Sequence, residues 1–265
     1  MCELPSQPRL SFIEGSWSHS SNSHSAVAKA LAAEGKSGDW EIDRRSLKIG
    51  EKIASGSCGD LYHGVYLGED VAVKVLKSGQ LNDALEDEFT QEVAILRPVH
   101  HKNVVRFIGA CTKCPHLCIV TEYMTGGSLY DYLHKNRNVL ELSQLLKFSI
   151  DVCKGMEYLH GNNIIHRDLK TANLLMDTHN ILVLTFFSLW LLQVPYDTMT
   201  PLQAALGVRQ GLRPELPKHG HPKLLDLMQR CWEAIPSSRP FFNEIRVELE
   251  NLLLEVENNS EANGA

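Results

Sequence analysis

The sequence predicts an α+β chain in two lobes, β-rich in its N-terminal part and helical in its C-terminal part. Three observations carry that expectation. Residues 48 to 76 read as strand, glycine turn, strand, strand, and "VVRFIGA" and "LCIVTEYM" add two more strand-like runs. Helical spacing of apolar residues then dominates from residue 142 onward. At 265 residues, 43% hydrophobic and 22% charged, the chain is long enough and apolar enough to bury a sizeable core.

Taken in order, residues 1 to 37 are rich in Ser ("SHSSNSHS") and show no sustained period, which predicts a disordered tail. Order begins at "DWEIDRRSLKIGEKI". In "VAVKVL", Val71, Val73 and Val75 face one way while Ala72, Lys74 and Leu76 face the other. "NDALEDEFTQEVAILR" places Leu85, Phe89, Val93 and Leu96 on one helical stripe, and Glu92 shares it. A charge on an inward face needs a partner, and the inward Lys74 offers one. Gly126, Gly127 and Ser128 break the chain, with Ser128 and Asp131 forming a capping-box-like start to a short helix. A longer helix is predicted over 142 to 160, burying Leu142, Leu146, Ile150, Cys153 and Leu159, with Gly161 at its C-terminal cap. Further helices are expected around 222 to 233 and 241 to 257, the last with a stripe of Ile245, Leu249, Leu252 and Val256. Residues 258 to 265 read as a disordered tail.

The formal net charge is −6 and the basic residues are not clustered, so nothing points to nucleic acid as a partner. Seven irregularly spaced cysteines and no apolar N-terminal segment argue for a reducing, cytoplasmic compartment. Cys111, Cys114, His116 and Cys118 contain one C-x-x-C without a second pair, which is weak support for zinc. The simpler reading is a connection between two strands, with Cys111 and Cys118 as small buried side chains. The longest apolar run, Ile181 to Leu192, is twelve residues and contains Thr185 and Ser188, whereas a spanning helix needs roughly twenty. It reads as a buried helix or strand, and no membrane is expected as a partner.

Motifs with chemical content appear in a telling order. "IASGSCGDLY" is a hairpin turn in which Gly56 and Gly59 let backbone amides approach phosphates, a weak signal alone. The Lys74–Glu92 pair alone suits a structural role as well as a catalytic one. "HRDLKTAN" is the strong piece: His166, Arg167, Asp168 and Asn173 fit the H-R-D-L-x-x-x-N pattern of a phosphoryl-transfer loop.

With these residues in place, the stretch from about 39 to 177 resembles the protein kinase catalytic domain, and within it the plant Raf-like kinases of the tyrosine-kinase-like group. The resemblance rests on "DWEIDRRSLKIGEKIASGSCGDLYHG", "VAVKVLK", "HKNVVRFIGAC", "VTEYMTGGSLYDYL" and "IIHRDLKTANLLMD", and resumes over about 194 to 257 with "VPYDTMTPLQAALGV", "GLRPELP" and "CWEAIPSSRPFFNEI". It implies a two-lobed protein-kinase-like fold, with an N-lobe over 38–124 and a C-lobe over 125–257. It also implies ATP-dependent transfer of the γ-phosphate to serine or threonine hydroxyls of protein substrates, with dual specificity open, and ATP and Mg²⁺ as cofactors. Under the resemblance, Ala54, Gly56, Gly59 and Leu61 cover the nucleotide, Ala54 replacing a motif glycine and Leu61 a valine. Ala72 roofs the adenine. Lys74, held by Glu92, pairs the α and β phosphates. Glu122 and Met124 offer backbone groups to the adenine edge, and Thr121 guards the pocket behind it. Asp168 orients or deprotonates the substrate hydroxyl, Lys170 steadies the transferred phosphate, and Asn173 supplies one magnesium ligand.

The same resemblance predicts a short strand, D-F-G, an activation segment, A-P-E and a buried helix after Asp177. No D-F-G or A-P-E occurs, and only Thr178 to Gln193 separates the two regions. The second magnesium ligand, the D-F-G aspartate, is therefore absent, and Asp177 lies too soon after Asn173 to replace it. Arg239 loses its A-P-E partner, and "FFSLWLLQVPY" reads as a remnant of the buried helix. An internal deletion with a truncated C-lobe accounts for all of this. It leaves Leu145, Met156, Leu224 and Trp232 short of packing partners and impairs turnover. The alternative is a catalytically inactive kinase-like module that binds nucleotide or a partner.

Overall fold

The computed structural model describes residues 40–56, 59–77, 83–112, 117–135, 139–166, 168–185, 201–213, 216, 218 and 220–263. The expected N-terminal tail and the stretch "FFSLWLLQVPY" lie outside them.

Five strands form one antiparallel sheet: β1 (Leu47–Ser55), β2 (Gly59–Tyr66), β3 (Glu69–Leu76), β4 (Phe107–Cys111) and β5 (Cys118–Glu122), in the order β1-β2-β3-β5-β4. Leu67 and Gly68 close the β2–β3 hairpin at φ 52° and 91°, the left-handed pair that lets a two-residue turn follow the twist of its strands. The alternation read in "VAVKVL" is realised. Val71 and Val73 are buried among Ile42, Leu47, Cys111, Cys118 and Val120 on one face, while Leu76 joins the cluster on the other. Helix α1 (Asp83–Leu96) covers that second face with Phe89, Val93 and Leu96, against Phe107, Ala110, Leu117 and Ile119. Leu85, the first residue of the predicted stripe, lies outside the described side chains.

The C-terminal part is built around helix α2 (Leu142–Gly161). One side of it packs Phe148, Met156 and Leu159 against a small hairpin, β6 (Leu174–Met176) and β7 (Leu182–Leu184). Its other side buries Leu146, Ile150 and Cys153 against Leu227 of α4 (Pro222–Cys231) and Leu249 and Leu252 of α5 (Phe242–Asn263), numbering α3 as Pro201–Arg209. Ser128 caps the turn Asp131–Lys135 as predicted: its hydroxyl oxygen accepts the Asp131 amide at 3.0 Å, and its proton goes to the Asp131 carboxylate at 2.8 Å.

Several expectations are corrected. Gly161 is the last helical residue of α2 and not the cap residue; the left-handed position is Asn163, at φ 59°. Asn163 N–H donates to His160 O and Ile164 N–H to Leu159 O, the paired bonds of a Schellman end. Helix α5 continues to Asn263, through most of the stretch expected to be a tail. Helix α3 had not been foreseen. Met156, expected to lack partners, is buried in the α2–hairpin cluster, and Leu224 packs beside Leu227, whereas Leu145 is exposed. Among the described residues, no helix is long and apolar enough to cross a membrane.

Gly155 lets α2 approach the hairpin. A Cβ there would stand 2.5 Å from Leu184 Cδ1 and 2.7 Å from the Asn103 carbonyl, while one on Gly161 would meet nothing within 4 Å. Gly155→Val is expected to destabilise by about 1–3 kcal/mol through overpacking. Gly161→Ala is expected to be neutral or stabilising by up to ~1 kcal/mol. Urea unfolding of both variants checks the contrast.

Candidate active site

Strand register places five of the residues singled out in the sequence on one face of the sheet. Ala54 lies opposite Leu61, Leu61 opposite Lys74, and Ala72 opposite Thr121; directly paired residues share a face, as do Ala72 and Lys74 two apart on β3. This is the face that α1 covers further along. From α1, Glu92 reaches Lys74, whose Nζ donates to Oε1 at 2.8 Å and Oε2 at 2.6 Å. Both side chains are mostly buried, so each supplies the partner the other's charge requires. Sequence periodicity predicted this contact, and the structure brings it together.

The glycine turn between β1 and β2 is braced from β3. Gly56 N–H donates to Gly59 O at 2.8 Å, and Lys77 Nζ donates to Gly56 O at 2.7 Å. A Cβ on Gly59 would stand 2.6 Å from Val75 O, so only glycine passes here without moving β3. Asp60 anchors the end of the turn. Its carboxylate binds Lys52 Nζ at 2.8 Å and the Ser55 hydroxyl, and the Lys52 bond first, then that of Ser55, hold its carboxyl below the usual range. Lys52, Ser55, Asp60 and Lys77 were not singled out by sequence; only their alternation beside the glycines hinted at them.

At the end of β5, Glu122 N–H donates to Arg106 O at 3.0 Å, and Glu122 Oε1 accepts Arg106 N–H at 2.7 Å. The Glu122 side chain is thereby tied back to the chain before β4. Thr121 is buried, with its hydroxyl donating to Glu122 O at 3.3 Å. Met124 O accepts Gly127 N–H at 3.3 Å.

The H-R-D loop converges on Asp168. Lys170 Nζ lies 2.9 Å from Asp168 Oδ2, and the buried Asn173 donates through Nδ2 to Asp168 Oδ2 at 2.9 Å and to Asp168 O at 2.8 Å. Asn173 thus presents its amide protons to the aspartate, leaving Oδ1 as its one oxygen for another ligand. His166 is buried beneath them. Its Nδ1 accepts Asp168 N–H at 3.3 Å, so Nε2 carries the ring hydrogen and donates it to Thr185 O at 2.7 Å. Arg167 lies outside the described residues.

Burial pushes the His166 pKa down, against the opposing pull of the Thr185 carbonyl, and the ring stays neutral. A histidine with a depressed folded pKa contributes stability that is present above its unfolded value of about 6.5 and is lost as pH falls below it. The stability difference between this chain and His166→Asn is therefore expected to shrink from about pH 7 to pH 5. Denaturant titrations at each pH measure it; other titrating groups cancel in the difference.

The hairpin revises where the metal-ligand position falls. Sequence reading left Thr178 to Gln193 between the two regions of resemblance; the short strand expected after Asp177 is present there as β7, with Leu174 opposite Leu184 and Met176 opposite Leu182. Asp177 sits at the far turn, where its Oδ1 accepts His179 N–H at 2.7 Å and Ile181 N–H at 2.8 Å. It is a turn residue, and β6 carries it away from Asn173. The chain returns to the site at Thr185, whose N–H donates to Asn173 O at 3.1 Å. The next residues in sequence are Phe186, Phe187 and Ser188, where the resemblance predicts D-F-G after the strand. The hairpin is further held by residues 103–105: Leu184 N–H donates to Asn103 O at 2.9 Å, Val105 N–H to Leu184 O at 2.8 Å, and Asn103 Nδ2 to Leu182 O at 2.9 Å.

Magnesium fits these residues poorly. Mg²⁺ takes about six oxygens in a near-octahedral shell, usually one or two carboxylates completed by phosphates and water. Asn173 offers one neutral oxygen, and the Asp168 carboxylate is already bound by Lys170 and Asn173. Asp177 faces its own turn, and a phenylalanine follows Thr185. Among the described residues, no three His, Cys, Asp or Glu side chains are grouped to hold a metal. Cys111 and Cys118 are buried free thiols; Cys114 and His116 lie outside the described residues.

Comparison with known proteins gives the family of the chain. The pattern of the family described as protein tyrosine and serine/threonine kinase matches residues 47–192 and 183–249. The chain is 50% identical to the serine/threonine-protein kinase STY46 of Arabidopsis thaliana over 264 aligned positions, covering 82% of this chain and 46% of that protein. It is 46% identical to the Arabidopsis serine/threonine-protein kinase STY17 over 265 positions, with the same coverages. With the Arabidopsis serine/threonine/tyrosine-protein kinase HT1 it shares 35% identity over 271 positions, covering 83% of this chain and 70% of that one. The chain spans about half the length of the first two relatives. A lysine–glutamate pair on the cleft face, an H-R-D loop closed on its own asparagine, and these matches together make the chain a member of the protein tyrosine and serine/threonine kinase family.

Proposed function

We propose that this chain binds ATP on the cleft face of the five-stranded sheet and descends from a serine/threonine protein kinase whose phosphotransfer it performs poorly. The observation that carries the reading is the bidentate Lys74–Glu92 pair, on the same face as Ala54, Leu61, Ala72 and Thr121. In this reading the N-lobe spans 38–124 and the C-lobe 125–257. Lys74 Nζ turns towards the α and β phosphates, with Gly56 and Gly59 over them. Backbone groups of Glu122 and Met124 meet the adenine edge. The substrate hydroxyl's proton passes to Asp168, and Lys170 steadies the phosphoryl group. The substrates are protein serine or threonine side chains, and the setting is cytoplasmic signalling.

Poor turnover follows from the metal position. The chain keeps the β6–β7 hairpin, and the residue after Thr185 in sequence is Phe186, not an aspartate. The two family-matched stretches overlap at 183–192, and the alignment to STY46 is longer than the part of this chain it covers. Both support an internal deletion that begins after β7 and removes D-F-G through A-P-E. A second reading, a catalytically inactive kinase-like module that binds nucleotide or a partner, is favoured by the lack of D-F-G in the sequence.

Removing the lysine tests the site. Lys74→Met is expected to weaken binding of a fluorescent ATP analogue by about tenfold to a hundredfold, the loss of a charge-assisted contact. A circular-dichroism melt confirms that the variant is folded. Unchanged affinity in a folded variant would place the nucleotide elsewhere.

A further inference from the structure

We propose that Cys111 and Cys118 form a reversible disulfide site, closed by hydrogen peroxide and reopened by a dithiol. Cys111 ends β4 and Cys118 begins β5, and the two are direct antiparallel partners. Such partners have Cα atoms about 4.5–5.5 Å apart, inside the ~4.4–6.8 Å range of disulfides. Both thiols are free and buried, on the sheet face opposite Lys74 and among Val71, Val73 and Val120. Little movement is needed to join them.

The two sulfurs are chemically unequal. A hydrogen bond from the Cys111 thiol lowers the pKa of Cys118, and the charge of Arg44 pulls the same way against burial; that same bond, then burial, raises the pKa of Cys111. Cys118, which accepts that hydrogen bond, is the attacking sulfur in the proposed step. The pair is the last one at the loop end of its hairpin, and a small oxidant reaches it by local opening of the strand ends. The Cys118 thiolate attacks one peroxide oxygen; the O–O bond breaks, hydroxide leaves, and Cys118 becomes a sulfenic acid. The Cys111 sulfur then attacks the Cys118 sulfur, the S–O bond breaks, and water leaves. Two thiols and one peroxide give one disulfide and two waters; the sulfurs lose two electrons and the peroxide gains them. Cys153 has no such activation, since burial pushes its thiol up to about 12. Closing the bond fixes β4 on β5 just before Thr121, stiffening the strand that leads out of the cleft.

The test treats the full chain with stoichiometric hydrogen peroxide, followed by intact mass and peptide mapping. The mass is expected to fall by about 2 Da through a Cys111–Cys118 link, with dithiothreitol restoring it. Cys114→Ser should keep the link, and Cys118→Ser should lose it. In concentrated urea, pairing should scramble among the seven cysteines of the chain. A link through Cys114, oxygen addition without a link, no mass change, or the same products in buffer and urea would each overturn the proposal.

Discussion

Purified as written, the chain should phosphorylate a generic protein substrate at the background rate, and Asp168→Ala should leave that rate unchanged. Lys170 and Asn173 lie on Asp168 Oδ2, and in the proposed reading Asp168 accepts the substrate proton. Phosphoryl transfer, however, depends mainly on positioning and on neutralising charge around the moving group. Losing one transition-state donor costs about 10²–10³ in rate. In the proposed reading the sequence lacks both the D-F-G carboxylate and the segment through A-P-E. Inserting a segment that carries D-F-G and A-P-E between Leu184 and Val194 should raise the rate by about a hundredfold or more, and Asp168→Ala in that background should abolish the gain. Phosphorylation by the unmodified chain that disappears on Asp168→Ala would show that another group has taken over the metal's role.

Much of the site was legible in the sequence because its logic is local. Alternation in "VAVKVL" put Lys74 inward, and the stripe through Phe89, Val93 and Leu96 put Glu92 opposite it; the two meet as the need for a buried charge partner demands. Asp168 and Asn173 lie five apart in a fixed motif and bond each other. The β6–β7 hairpin was not legible, for a physical reason. "ILVLTFFSLWLL" is apolar throughout, and such a run reads equally as buried strand or helix. What makes Leu182–Leu184 a strand is distant: Asn103 and Val105 supply the bonds along its edge. Missing that strand ended the first region of resemblance at Asp177. The end of α2 misled in a simpler way. Gly161 attracts the cap assignment, but the left-handed position two residues on is filled by Asn163, which tolerates it. The braces on the glycine turn, Lys77 on Gly56 and Lys52 on Asp60, come from side chains whose reach no periodicity reports.

The second large effect concerns magnesium. A site with Lys74 and the glycine turn but only Asn173 as a ligand should hold nucleotide phosphates by the lysine and backbone alone. Phe186 follows Thr185 in sequence, so Phe186→Asp places a carboxylate next to the residue that bonds Asn173. In that variant, Mg²⁺ is expected to strengthen binding of an ATP analogue about tenfold or more, since a carboxylate and Asn173 can then share the ion with the phosphates. The direct test is calorimetric titration of the unmodified chain with a non-hydrolysable ATP analogue, with Mg²⁺ and with a chelator. Affinities equal within about twofold are the predicted result for a kinase-family cleft that binds nucleotide without a metal clamp. Affinity that collapses when the metal is chelated would contradict it.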